Sequence, residues 1–402
     1  MFQLALEINQ KYDTMFIMAI TLLRPLAAPL ASLIFLMMAS GLFNTFVSIR
    51  LEIESFDNQS IGTIVSMLYA GILAGSVKVQ NFIQRVGHIR ALISFALVSA
   101  IVILAQSLWI QAWYWGFLRF IGGLCMAGIF VAIESWLLLL STPATRGVVL
   151  SIYLGVFYGA MSLGQFLIHL ANPMSSTFFY LAAALCLLSI FPISFCRSSE
   201  PKIEDTTKLS LIQLMRMSPL GFMGGIISGM VLAAIYGLVP VFARARGLAV
   251  GDIGNLMAAI IFGGLSLQWP LGRLADRTNR KTVLNLVSFA AAFASILLAL
   301  AAEVPFPFLL VLAWLFGGFA FTIYPLSMAY TCENMQESQI VAATGGFVLS
   351  YSIGAVAGPL AAPIAMQLFG HIGLFYFLAA ISLSLGLCGI LPLKTVKKIT
   401  PK

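Results

Sequence analysis

The 402 residues are 60% hydrophobic and only 9% charged, with a formal net charge of +8, and the mean hydropathy is +1.01. An ordinary soluble domain is about 45–50% apolar, so that class is excluded. Nucleic-acid binding is excluded as well, because the cations sit in short segments flanking apolar runs, the pattern of a polytopic membrane protein.

In chain order, residues 1–24 mix Glu7, Lys11 and Asp13 with an apolar patch, and are expected to form a cytoplasmic amino-terminal extension, interfacial or poorly ordered. Apolar runs long enough to cross a bilayer then predict spans near 25–49, 60–80, 91–109, 113–140, 147–170 and 177–196. A polar stretch, residues 197–218, carries Glu200, Lys202, Glu204, Asp205, Lys208 and Arg216 and reads as a cytoplasmic linker. Six more spans follow near 219–243, 253–272, 282–302, 306–331, 340–368 and 372–393, with a basic tail over 394–402. The expected fold class is all-α integral membrane, with a first half over 25–196 and a second over 219–393.

Lysine and arginine set the orientation. With the amino terminus inside, 18 of the 22 fall in cytoplasmic segments, Arg50, Arg244 and Arg246 lie outside, and Arg119 lies within a span. That bias places both termini in the cytoplasm. The five cysteines (Cys125, Cys186, Cys196, Cys332, Cys388) are in or beside apolar runs without a C-x-x-C, so they read as small packing residues.

The densest charge lies in Pro270–Lys281, where Arg273, Asp276, Arg277, Arg280 and Lys281 crowd between two apolar runs and must lie at a membrane face. With Gly272 and Leu274, these residues resemble the G-x-L-a-D-R-x-G-R-K signature loop of the major facilitator superfamily. Asn279 stands at its second glycine, where it can serve a left-handed turn. Arg85-Val-Gly-His-Ile-Arg90 is a degraded copy about 192 residues earlier, with Gln84 in place of the aspartate. The resemblance implies twelve transmembrane helices in two pseudo-symmetric halves, with a substrate site between them at mid-membrane. It also implies a cytoplasmic gate or latch, in which Asp276 accepts from Arg273, Arg277 and Arg280.

Arg119 is the one cation well inside a span, and Arg119-Phe-Ile-Gly-Gly resembles the family's fourth-span motif. It is expected either to face the central cavity or to bond to span 1. Glu134 is the sole acid within an apolar run and lies about 22 Å from Arg119 along a straight helix. Gate partners for it are Arg146, Arg85 and Arg90, and a proton-binding role is the alternative. Glu134-Ser-Trp136, Asn44-Thr45 with Arg50, Gln165, and Gln268-Trp-Pro-Leu-Gly272 resemble a poorly characterised bacterial inner-membrane branch of the superfamily. The family's cavity-lining helices point to Asn44, Arg119, Tyr236 and Tyr324, with Gln165, Gln268 and Tyr351 behind them. One cation amid aromatics and amides would suit an anionic, zwitterionic or amphipathic solute. Gly71/Gly75, Gly155/Gly159 and Gly354/Gly358 read as small-residue ridges for close helix approach.

No Gly-Lys dipeptide or H-E-x-x-H occurs, and the three histidines lack metal-ligand neighbours at helical spacing. The sequence therefore points to no enzyme, cofactor or metal. Its expected partners are a small organic solute, lipid and, for coupling, protons; the chain is expected to act as a monomer. The function implied is secondary transport by alternating access across an inner membrane. Drug or metabolite efflux is an alternative, and a non-transporting sensor or scaffold is the competing class.

Overall fold

The computed structural model describes residues 2–142, 145–194, 211–301, 304–333, 335 and 337–391, with the side chains of 2–24, 77, 211–212 and 337–342 outside that description. Lipid offers no hydrogen bonds to a backbone, so each apolar run must satisfy its own peptide groups as a helix. Eleven helical stretches are long and apolar enough to cross a membrane; the last, Ala343–Ile390, is divided by the 3-10 turn Gly370–Ile372 into two packed helices. Among the described residues the spans are therefore twelve: 1, Phe2–Ile53; 2, Asn58–Val86; 3, His88–Gln106; 4, Ala112–Leu139; 5, Arg146–Phe166; 6, Thr177–Leu188 with a short continuation Ile190–Ser194; 7, Pro219–Ala245; 8, Val250–Arg277; 9, Arg280–Leu300; 10, Phe306–Cys332; 11, Glu337–Phe369; and 12, Gly373–Ile390. Most of the 197–218 linker and the 394–402 tail lie outside the described residues.

Three expectations are corrected. Residues 2–24 are helical and continuous with span 1, so the poorly ordered form of the expected extension is not the one found. The charged stretch is mostly helix, because span 8 runs to Arg277 and span 9 starts at Arg280, leaving Thr278 and Asn279 as the whole turn. Asn279 is not left-handed: at φ −94° it caps span 9, its side chain accepting from the Thr282 amide. In the first half the equivalent turn does use the left-handed region, at Gly87 with φ +88°, where a side chain would be strained.

Each half is held by spans crossing at paired glycines. A side chain at Gly71 would strike the Phe120 carbonyl, and one at Gly123 the Leu68 carbonyl, so spans 2 and 4 touch backbone to backbone. Gly263 against Trp314 and Gly317 against Ile260 repeat this for spans 8 and 10. Gly41 with Met161 and Gly164 with Met38 do the same for spans 1 and 5, matched in the second half by Gly229 with Tyr351 and Gly354 with Ile226 in spans 7 and 11. The repeat that is faint in the turns is therefore plain in the crossings. Close approach of this kind gains dispersion contacts that bulky side chains would forbid. The outer faces carry large apolar groups such as Ile101, Phe117, Phe293 and Phe308, as a lipid-facing surface requires.

Candidate functional site: a cleft between the halves

The two halves meet through spans 2 with 11, 5 with 8, and 1 with 7, and the contacts concentrate at one end of the bundle. There, Ser66 donates to the Val356 carbonyl at 2.9 Å and Gln59 to that of Leu360 at 3.4 Å. On the opposite flank Ser162 donates to the Ala258 carbonyl at 3.2 Å, and His169 and Asn255 are hydrogen-bonded at 3.2 Å. Arg244 of span 7 and Glu52 of span 1 form an ion pair at 3.4 Å. Gly62 presses on the Pro359 carbonyl, and Gly254 lies against Gln165 and Ile168. We call this the sealed end.

The other end is open. A side chain added at Gly147, Gly155 or Gly159 in span 5, at Gly272 in span 8, or at Gly345 in span 11 would meet nothing within 4 Å. No hydrogen bond or ion pair between two described residues joins the halves there. Of the three glycine ridges, Gly71/Gly75 and Gly354/Gly358 pack against neighbouring helices, whereas Gly155/Gly159 borders open space.

Between the ends, tyrosines from both halves converge. Tyr236 lies within electrostatic range of Tyr69, Tyr158 and Tyr351, and Tyr324 within that of Tyr158. Their rings are fixed by edge-to-face contacts: Tyr236 and Tyr158 with Phe321 at 5.6 and 5.5 Å, and Tyr324 with Tyr351 at 5.1 Å and Phe347 at 5.2 Å. None of the hydroxyls of Tyr69, Tyr153, Tyr158, Tyr236, Tyr324 and Tyr351 has a protein hydrogen-bond partner among the described residues, and none is sealed from water. Phenols held rigid by their rings, with free hydroxyls, suit an amphipathic ligand.

Glu134 belongs to this cleft. It is exposed although protein surrounds it, as on the wall of a water-filled opening, and it lies within electrostatic range of Tyr153 in span 5 and Tyr324 in span 10 of the other half. The expected pairing with Arg85, Arg90 or Arg146 does not occur; all three arginines are exposed, and Glu134 forms no ion pair among the described residues. Its neighbour Ser135 instead anchors the turn after span 2 through His88, at 3.0 Å.

Arg119 bonds to span 1 and also lies within electrostatic range of Tyr69. It is 4% exposed and turned into the first half, where it donates to the Asn44 side-chain oxygen at 2.7 Å, with Phe43 5.9 Å from its guanidinium. Asn44 in turn donates to Ser40 at 3.1 Å. Together they border a cavity of about 60 Å³ inside that half, with Ser99, Gln106 and Cys186. Gln165 is also spent within the half, accepting from Thr45 at 2.8 Å and donating to the Gly41 carbonyl at 2.9 Å. Gln268 is half-buried on span 8, with no hydrogen-bond partner among the described residues.

At the charged turn, Asp276 accepts from Arg280 at 3.0 Å, and Arg280 also reaches the Ala329 carbonyl at 3.2 Å, tying the turn to span 10. Arg273 instead stacks on Trp269 at 4.2 Å, and Arg277 and Lys281 form no ion pair among the described residues. Of the expected donors to Asp276, only Arg280 is engaged with the open end open. Sequence reasoning missed the Glu52–Arg244 pair because both residues read as simple span-end charges. It also missed that Glu134 lines the cleft, although a lone acid in an apolar run was the available signal.

A sequence profile of the Major Facilitator Superfamily matches residues 30–304 and 221–402. An uncharacterized MFS-type transporter, YcaD, from Escherichia fergusonii is 33% identical over 362 residues, covering 89% of this chain and 93% of that protein. YcaD of Shigella flexneri is likewise 33% identical, over 90% of this chain and 94% of its own. Among solved structures, a D-xylose-proton symporter superposes with a TM-score of 0.75 at 14% identity, covering 92% of this chain and 97% of that one. The nucleoside transporter NupG superposes at 0.75 and 15%, covering 91% and 98%. At such identities the structural likeness speaks for the fold alone.

Proposed function

Since the chain belongs to the major facilitator superfamily, whose members are transporters, we propose that it carries a small organic solute across the inner membrane by alternating access. The observation that carries this reading is the asymmetry of the cleft: one end sealed by contacts between the halves, the other bare, with unpartnered phenols between. A permanently open pore or a rigid scaffold has no use for a single seal. The lysine and arginine bias assigns the open end to the cytoplasm, making this the inward-open state.

In the opposite state, span 5 would close at Gly155 and Gly159, residues whose lack of side chains permits close helix approach. The Asp276–Arg280 pair sits where a closing cytoplasmic gate would form. Glu134 is the group a coupling proton would use, being the cleft's acid. A thermal-shift metabolite screen on purified protein, followed by uptake into proteoliposomes with and without a pH gradient, tests the reading. A ligand that binds but never crosses would favour a sensor. Uptake indifferent to a protonophore would leave passive carriage. Labelling of Thr278→Cys by an impermeant external thiol reagent on whole cells would reverse the orientation.

A further inference from the structure

The charge exposed to the cleft is negative. Within the apolar membrane-crossing stretches of the described residues, five or more residues from either end, there is one cation, Arg119, and one acid, Glu134. Arg119, though within electrostatic range of Tyr69, is buried against Asn44 within the first half, whereas Glu134 stands exposed without an ionic partner among the described residues. A carboxylate in so confined a site loses part of its solvation, and a positive partner can restore it.

The surroundings of Glu134 specify what kind of positive partner. Phe130, one helical turn before it, shares its face and begins a chain of aromatic contacts. Phe130 meets Phe157 at 5.7 Å, and Phe157 meets Tyr153 at 6.1 Å and Tyr158 at 5.1 Å. Tyr158 passes the chain to Phe321 in the other half, and Tyr324 lies within electrostatic range of both Glu134 and Tyr158. A metal ion would want several oxygen or nitrogen ligands in place of rings, and no cluster of three acids, histidines or cysteines exists among the described residues. Aromatic faces beside one carboxylate favour a bulky, weakly hydrated cation, to which a ring within about 6 Å adds about 2 kcal/mol or more when desolvated.

Resting on the transporter reading above, we propose that the cleft binds an organic cation, a protonated amine or quaternary onium, with its charge on Glu134 and its apolar body against Phe130, Phe157, Tyr153, Tyr158 and Tyr324. The arginines at the cytoplasmic mouth oppose entrance of a cation. They are exposed to bulk solvent, however, where charge is screened over about 8 Å, whereas inside the cleft the carboxylate acts through a lower dielectric.

The test uses two ions of one shape and opposite charge, tetraphenylphosphonium and tetraphenylborate. Each is equilibrated with the purified full chain in an uncharged detergent, with empty micelles as the blank. The phosphonium should bind saturably and the borate at least tenfold more weakly. Glu134→Gln should reduce phosphonium affinity at least tenfold without helping the borate, and Tyr324→Leu should reduce it several-fold. Equal or reversed preference in the wild type overturns the proposal, as does a folded Glu134→Gln protein that binds the phosphonium normally. If Glu134→Gln fails to fold, the wild-type preference decides alone. Binding needs no flux, so the two readings fail separately: a phosphonium bound but never moved would sink transport, and flux of a solute without charge preference would sink the cation site.

Discussion

Replacing Gly62 by alanine should unseal the cleft. The added methyl would overlap the Pro359 carbonyl and approach Pro363 Cγ to 2.8 Å. The obstacle is backbone and a proline ring, neither able to swing aside. Overpacking of this kind costs about 1–3 kcal/mol, and because the contact joins spans 2 and 11 across the halves, the cost falls on the sealed state alone. The ratio of the state sealed at this end to alternative states should therefore drop about 5- to 150-fold. Nitroxide labels at Gln84→Cys and Thr278→Cys, on exposed positions at the open end of each half and with the five native cysteines replaced, would report it by pulsed electron resonance. A shorter distance should grow in at the open end as the sealed end parts. An unchanged distance distribution in a folded Gly62→Ala protein would refute the reasoning, by showing that this contact survives in both states.

Gly155→Leu should be silent with this end open, having open space, yet should block closure, so that the same labels show only the long distance and uptake is lost. Glu52→Gln should shift the same balance by less than about 1 kcal/mol, since the pair with Arg244 is partly exposed, and the difference from wild type should vanish in high salt. Asn44→Leu removes the hydrogen bond to buried Arg119 and should lower unfolding stability in detergent by about 1.5–3 kcal/mol; a change in solute affinity at unaltered stability would instead make Arg119 a binding residue. Asp57 caps span 2 through the Gln59 and Ser60 amides, and hydrogen bonding, the Ser60 hydroxyl foremost, holds its carboxyl below the usual range. Asp57→Ala should cost about 1 kcal/mol at neutral pH. Because that pKa is depressed on folding, the wild-type advantage should persist down to about pH 4 and disappear as the pH falls through the folded value, which unfolding at stepped pH would check.

The spans, the two halves and the charged turn were legible in the residues, because a bilayer admits only long apolar helices and rejects charge between them. The repeat around Arg85–Arg90 and Arg277–Lys281 was visible too, though the structure gives the two turns different backbones, Gly87 left-handed and Asn279 extended. Which way each polar side chain faces was not legible. A span of a polytopic protein is apolar on its packed and lipid sides alike, so periodicity does not mark its inner face. Arg119 and Glu134 share one helix; only the packing of its neighbours turned the first onto Asn44 within the half and left the second in the cleft. In Gln165 the same packing spent an amide on Thr45 and Gly41 that composition alone would have offered to a solute. The sequence by itself determined that this chain crosses a membrane twelve times in two related halves, since hydrophobicity and charge act residue by residue. The tertiary structure decided which end is shut and which of the two charges in span 4 is exposed, since both depend on the rotation of helices about their axes, fixed by backbone crossings at glycines far apart in the chain.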